Sequence, residues 1–136
     1  MPAHIIPTFR YDDAPAAIEF LCRAFGFEKH AVYEGEGGTV AHAQLVLGDG
    51  MIMLGSAGDG EFDALQKPAD GGRPVSSSPY IVVSDPDALH TRAVEAGAEV
   101  VMALHDADYG GRHVSFRDPQ GQLWSFGSYD PWSSDQ

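Results

Sequence analysis

YDDAPAAIEFLCRAFGFE, residues 11–28, and SDPDALHTRAVEAGAE, residues 84–99, share one local grammar. Each places an aspartate, Asp13 or Asp85, where a helix N-cap accepts a hydrogen bond from the free amides of the first turn. Each then puts proline, Pro15 or Pro86, at the start of the helix, where a missing N–H is tolerated. Apolar residues recur at helical spacing as Ile18, Leu21, Cys22 and Phe25 in the first, and as Leu89, Ala93 and Ala96 in the second. Gly26 and Gly97 supply the left-handed stops.

The match extends outward at a nearly constant offset. Ala17 falls on Ala88, Ile18 on Leu89, Glu28 on Glu99, His42 on His113, Leu45 on Phe116, Gly50 on Gly121 and Ile52 on Leu123. Order and spacing survive across both halves, so the chain reads as two copies of one unit. In the first copy the strands are expected at Ile5–Tyr11, Lys29–Glu34, Val40–Leu47 and Met51–Leu54, with turns at 34–38 (EGEGG) and 48–50 (GDG). In the second they are expected at Tyr80–Val83, Val100–Leu104, His113–Arg117 and Leu123–Phe126. Asp118-Pro119-Gln120-Gly121 is a strong turn signal, with proline at the second position and glycine at the fourth. The expectation is an α+β fold of two βαβββ modules, at 1–56 and 79–136. They form one domain over 1–136, and the Gly-, Asp-, Pro- and Ser-rich stretch 57–78 is either a linker or a cover over a pocket.

Composition narrows the partners. Eight Lys and Arg stand against 20 Asp and Glu, a formal charge of -12. That field repels phosphate backbones and anionic membranes, so neither nucleic acid nor membrane is an expected partner. No apolar run approaches the ~18 residues of a membrane helix. MPAHIIPTFRYDD has neither a basic start nor a long apolar stretch, and the single cysteine, Cys22, suits a reducing compartment. A cytoplasmic protein is expected.

This grammar resembles the vicinal-oxygen-chelate superfamily, which includes glyoxalase I, extradiol dioxygenases, fosfomycin-resistance enzymes and bleomycin-binding proteins. The resemblance rests on 11–28 and on YGGRHVSFRDPQGQLWSFGSYDPW at 109–132, and the second stretch is most similar to the PhnB-like and bleomycin-resistance-like branch. It implies that each module curls into half a barrel and that two modules form a half-open barrel with a concave pocket. It also implies a homodimer with pockets near the subunit interface. Metal enzymes of the family take four inward ligands, usually His and Glu, from the first and last strands of each module. Carried over one at a time, those positions fall on Ile6, Met53, Pro79 and Ser125. An isoleucine, a thioether, a proline and a neutral hydroxyl are no donor set for Zn, Ni or Fe, so no metal cofactor is expected.

Strand alternation then sorts the faces. Ala41, Ala43, Leu45, Leu47, Val114 and Phe116 are assigned to the helix side, and Trp124 and Phe126 are expected beneath the helices. The pocket is expected to carry Thr8, Arg10, His42, Gln44, His113, Ser115, Arg117 and Ser125, amid Ile6, Met51, Met53, Ile81 and Val83. Tyr109, Tyr129 and Trp132 lie in loops, at a pocket mouth or a dimer seam. The segment starting at Asp106 opens like a calcium loop but ends on Arg117 instead of a bidentate Glu. Gly35–Gly38 precedes a strand and so is a turn, not a phosphate cradle.

Three readings of function follow. The first is metal-independent binding of a small molecule, such as an antibiotic or metabolite. The second is a metal-dependent lyase, isomerase or dioxygenase. The third is a metal-free enzyme with His42 or His113 as general base and Arg10 or Arg117 holding an oxyanion.

Overall fold

The computed structural model describes residues 2–133. In chain order the elements are β1 (Thr8–Tyr11), α1 (Ala14–Phe25), β2 (Glu28–Glu34), β3 (Val40–Leu47), β4 (Gly50–Ser56), β5 (Tyr80–Val82), α2 (Pro86–Glu95), β6 (Glu99–Asp106), β7 (Arg112–Arg117) and β8 (Leu123–Gly127). The duplicated grammar becomes duplicated geometry. Asp13 Oδ1 accepts the Ala16 N–H and Asp85 Oδ1 accepts the Ala88 N–H, each at 3.1 Å. Gly26 and Gly97 take φ of 88° and 97°, ending the helices in the left-handed region where a Cβ is strained.

Two four-stranded sheets result, ordered β1-β4-β3-β2 and β5-β8-β7-β6. In each, the first strand runs parallel to the last and the other pairs are antiparallel. The two sheets are not closed into a barrel within the chain. β1 begins at Thr8 instead of Ile5 because Pro7 has no N–H to pair, although its carbonyl still accepts from Met53 N–H at 3.0 Å. β5 stops at Val82, while Val83 N–H still reaches the Gly127 carbonyl at 2.8 Å.

The helix-side faces of both sheets feed one core. Phe25, at the end of α1, packs against Phe116, Trp124 and Phe126 of the second sheet, with centroids 5.7, 5.7 and 4.7 Å apart. Phe9 of β1 and Phe27 meet Trp124 at 5.1 and 5.8 Å. Trp124 and Phe126 are fully buried, as alternation requires. One assignment from alternation changes: Ala41 is exposed and Val40 is buried in its stead. The β2–β3 register shifts between Tyr33↔His42 and Glu34↔Val40, so Ala41 is the extra residue of a bulge.

Two polar devices lock the modules together. Arg92 of α2 donates to the carbonyls of Arg23 (Nε, 2.9 Å) and Cys22 (Nη2, 3.1 Å) at the end of α1. Arg23 Nη2 returns a bond to the Ala96 carbonyl at the end of α2, at 3.4 Å. Each helix thus receives a cation at its negative end and a donor for orphan carbonyls. The second device is Asp118, a buried carboxylate. It accepts from Tyr11 Oη at 2.6 Å, from Trp124 Nε1 at 3.1 Å, and from the backbone N–H groups of Gln120 and Gln122, both at 3.0 Å. Burial first, and then the Asp118 charge, push the Tyr11 hydroxyl well above the ordinary phenol range. Gln120 completes the joint by bonding Asp13 N–H at 2.9 Å and the Asp13 carbonyl at 2.8 Å. Among the described residues no helix is long and apolar enough to cross a membrane.

Candidate functional site

Because both sheets turn their helix sides into the shared core, their other faces point away from it. These outer faces carry most of the expected site residues, but as two half-sites, not one pocket. His42 has its own ring partner, Tyr33, and His113 has Tyr80 and His105.

On the first sheet, Thr8 pairs with Met53, Arg10 with Gly55, and Gln44 with Met53, so these side chains share the face. Val46 and Met51 are also paired there. His42 Nε2 lies 3.2 Å from Gln44 Nε2, and its ring stacks on Tyr33 at 6.1 Å with 24° between planes. Ile6 precedes β1 and belongs to no strand. A cavity of about 170 Å³ brings together Thr8, Arg10, His42 and Met53. Phe62 and Gln66 of the linker also line it. Gln66 Nε2 donates to the Thr8 carbonyl at 2.8 Å, and the Arg10 guanidinium lies 5.5 Å from the Phe62 ring centroid and 3.6 Å from Asp63 Oδ1.

On the second sheet, β7 turns His113, Ser115 and Arg117 outward, since Val114 and Phe116 between them are fully buried. Ser115 Oγ and Ser125 Oγ are 2.7 Å apart, on paired residues. The expectation for β5 is overturned. Ile81 and Val83 pack against the core, and Tyr80 and Val82 take the outer face. The register shows why: Tyr80 pairs with Ser125 and Ile81 with the core residue Phe126, so counting from Pro79 slipped the strand by one and exchanged its faces. The signal was present in the sequence. Arg10 stands three residues before the cap Asp13, and Val82 stands three before Asp85. Pro79 precedes β5 and offers only its carbonyl, which accepts from Ser125 N–H at 3.1 Å.

Tyr80 and His113 stack at 6.1 Å with 7° between planes, and His105 meets His113 edge-on at 5.2 Å. Tyr80 Oη donates to the Tyr129 carbonyl at 2.7 Å, and Tyr129 packs edge-to-face on Tyr109 at 4.9 Å. Trp132 is 95% exposed. Burial and then the neighbouring His105 hold the His113 imidazole below its ordinary value, so it is neutral at pH 7. Burial also raises Tyr80, reinforced by Tyr109 and Asp130. Among the described residues His113 Nδ1 and Arg117 Nε are buried atoms with no hydrogen-bond partner. This face offers an aromatic platform, a hydroxyl pair and unspent polar groups. Besides Tyr80 and Val82, sequence reasoning missed Tyr33 and His105, which sit on edge strands opposite the two histidines.

With β5 counted from its cap, the third position where the resemblance places a metal ligand moves from Pro79 to Ser78, and Ile6, Met53, Ser78 and Ser125 together offer no donor set that fits a divalent ion. Among the described residues no group of three His, Cys, Asp or Glu side chains is placed to hold one.

The family model of the Glyoxalase/Bleomycin resistance protein/Dioxygenase superfamily matches residues 2–126. An uncharacterised protein of Mycobacterium bovis is 34% identical over 123 residues, spanning 89% of this chain and 80% of that protein. The crystal structure of TioX from Micromonospora sp. ML1 superposes with a TM-score of 0.73 at 29% identity, covering 93% of this chain and 98% of that one. The fosfomycin resistance protein FosX from Mesorhizobium loti shares the fold alone, with a TM-score of 0.66 at 13% identity over 96% of this chain and 95% of that one. With the family matched along nearly its whole length and the duplicated βαβββ architecture in place, this chain belongs to the Glyoxalase/Bleomycin resistance protein/Dioxygenase superfamily.

Proposed function

We propose that this protein binds a small, partly aromatic molecule, an antibiotic or a metabolite, without a metal ion. The observation that carries the reading is the make-up of the two outer faces. The first holds the flat rings of Tyr33 and His42 with Gln44 and Met53, the second the rings of Tyr80 and His113 with Ser115 and Ser125, and among the described residues neither holds a donor set for a divalent cation. Aromatic faces and a few placed polar groups are what recognition of a small organic ligand requires. The site is completed in a homodimer, where one protomer's first sheet meets its partner's second. Half-exposed apolar side chains on the second sheet's outer face, Val82 and Met102, support that assembly.

A thermal-shift screen with cationic glycopeptides, aromatic antibiotics and small anionic metabolites tests the reading. Ligand at 100 times its Kd adds about 2.7 kcal/mol, an upward shift of several degrees. Flat responses to the whole panel refute binding. Elemental analysis of untagged protein tests the metal-free part, and about one equivalent of Ni, Zn, Fe or Mn per pocket refutes it. Sedimentation giving only a 14.6 kDa species refutes the dimer.

A second reading, general-base catalysis, is supported by His113 alone. Burial and His105 lower its pKa, and its Nδ1 has no partner among the described residues, which suits a group that accepts a proton. Replacing His42 and His113 by Gln then abolishes turnover of any substrate found, and unchanged rates refute this reading.

A further inference from the structure

We infer that the first sheet's outer face is a subsite for an aryl carboxylate, which the linker fills with its own Phe62 ring and Asp63 carboxylate. The inference rests on the reading that ligands enter these faces, and it names the chemistry that one of them takes.

The Arg10 guanidinium lies across β4 where Gly55 leaves it room, since a Cβ there would come within 2.9 Å of Nη1. Among the described residues it makes no hydrogen bond, and its one ion pair is with Asp63 at 3.6 Å. That is beyond hydrogen-bonding reach, so the planar fork that suits a carboxylate is left unengaged. Asp63 is itself committed elsewhere, with its carboxylate accepting Gly58 N–H at 3.0 Å and Gly60 N–H at 3.1 Å. Phe62 occupies the aromatic part of the subsite, 5.5 Å from the guanidinium, yet 52% of it remains exposed. Leu65, in the same segment, is 80% exposed. With its two apolar side chains so exposed, the segment is held chiefly by polar contacts, the Gln66–Thr8 bond and the Asp63 ion pair. The filler therefore displays ring and anion together, but holds neither at full strength. The chain's formal charge of -12 opposes a bare anion, so the ring must contribute to binding.

Titration calorimetry with phenylacetate tests this on the full chain. Replacing both Phe62 by Ala and Asp63 by Asn frees the subsite and tightens phenylacetate binding about tenfold over the original protein. Phenylacetamide, which lacks the charge, and acetate, which lacks the ring, bind the double variant about tenfold more weakly than phenylacetate. Adding Arg10→Gln to the double variant removes binding. If that protein loses cooperative unfolding, Arg10→Lys takes its place and weakens binding about fivefold by losing the fork. Equal affinity in the original protein and the double variant overturns the inference, as does equal binding of phenylacetamide. Phenylacetate binding nowhere, while panel ligands still raise the melting temperature, overturns this inference alone. No binding in either experiment overturns both readings.

Discussion

The outer faces of the two sheets are built from equivalent positions and have become different surfaces. In the first module a side chain from β1, Arg10, crosses a glycine of the last strand, Gly55. In the second, the matching glycine, Gly127, is crossed by Tyr80 of β5, which stands at the place of Thr8 and not of Arg10. The first crossing is cationic and covered by the linker, whereas the second is aromatic, stacked on His113 and left open. Duplication fixed where a side chain may lie, and later substitution chose which chemistry lies there. A site assembled from both faces presents a ligand with two unlike walls.

Paired substitutions test how far the modules have diverged. The largest contrast is expected between the β-turn aspartates. Asp118→Ala strands the Tyr11 hydroxyl, the Trp124 indole N–H and two backbone amides, and costs about 3 kcal/mol in urea unfolding. Asp49→Ala, in the exposed hairpin of the first module, stays within about 0.5 kcal/mol. Equal losses would mean that Asp118 is no joint between the modules.

Next come the glycines. At Gly127 an added Cβ meets the Tyr80 hydroxyl and comes within 2.9 Å of Cε1, and that ring is held by Tyr129 and His113. Gly127→Ala costs about 2 kcal/mol. Gly55→Ala meets the end of flexible Arg10 at 2.9 Å and the Ala41 carbonyl at 3.0 Å, and costs about 1 kcal/mol. A reversed order would show that the Tyr80 ring swings freely. Third, Arg92→Ala removes two bonds to the end of α1 and costs about 1 kcal/mol by thermal unfolding. Arg23→Ala, which loses one long bond, costs about half as much.

The smallest effect is a pH dependence. Burial and His105 lower the His113 pKa in the fold, so on acidification the unfolded chain takes up that proton first. Its contribution is therefore constant above the ordinary histidine value of about 6.5 and falls as pH drops from there through the lowered folded value. Urea midpoints at pH about 7.5 and about 5.5 should lie closer together in His113→Gln than in the original protein. An unchanged gap would remove His113 as the source.

The sequence carried the fold because its signals are local. Asp13, Asp85, Gly26 and Gly97 act on neighbouring backbone, and Trp124 and Phe126 announce their face by parity. The site was less legible because it depends on register. The caps Asp13 and Asp85 lie one residue farther apart than the stops Gly26 and Gly97, so an offset taken from one part of the repeat misplaces another. That single step put Ile81 and Val83 on the wrong face, and the bulge at Ala41 did the same for one residue of β3. The docking of Phe62, Asp63 and Gln66 left no trace in pattern, since a loop has no period to read. The turn at Asp118 was visible, but four donors converging on it from both modules were not.

The core shared through Phe25 has a consequence for the origin of such chains. A single ancestral half would have left its helix-side rings in water, so it needed another copy of itself before it could persist as a folded unit. In this chain a tether takes the place of an encounter between separate molecules. Once that encounter was guaranteed, each half became free to lose self-complementarity. The retained constraint is inside, where Phe25 stands opposite a bed of rings, and the freedom is outside, where ligands arrive.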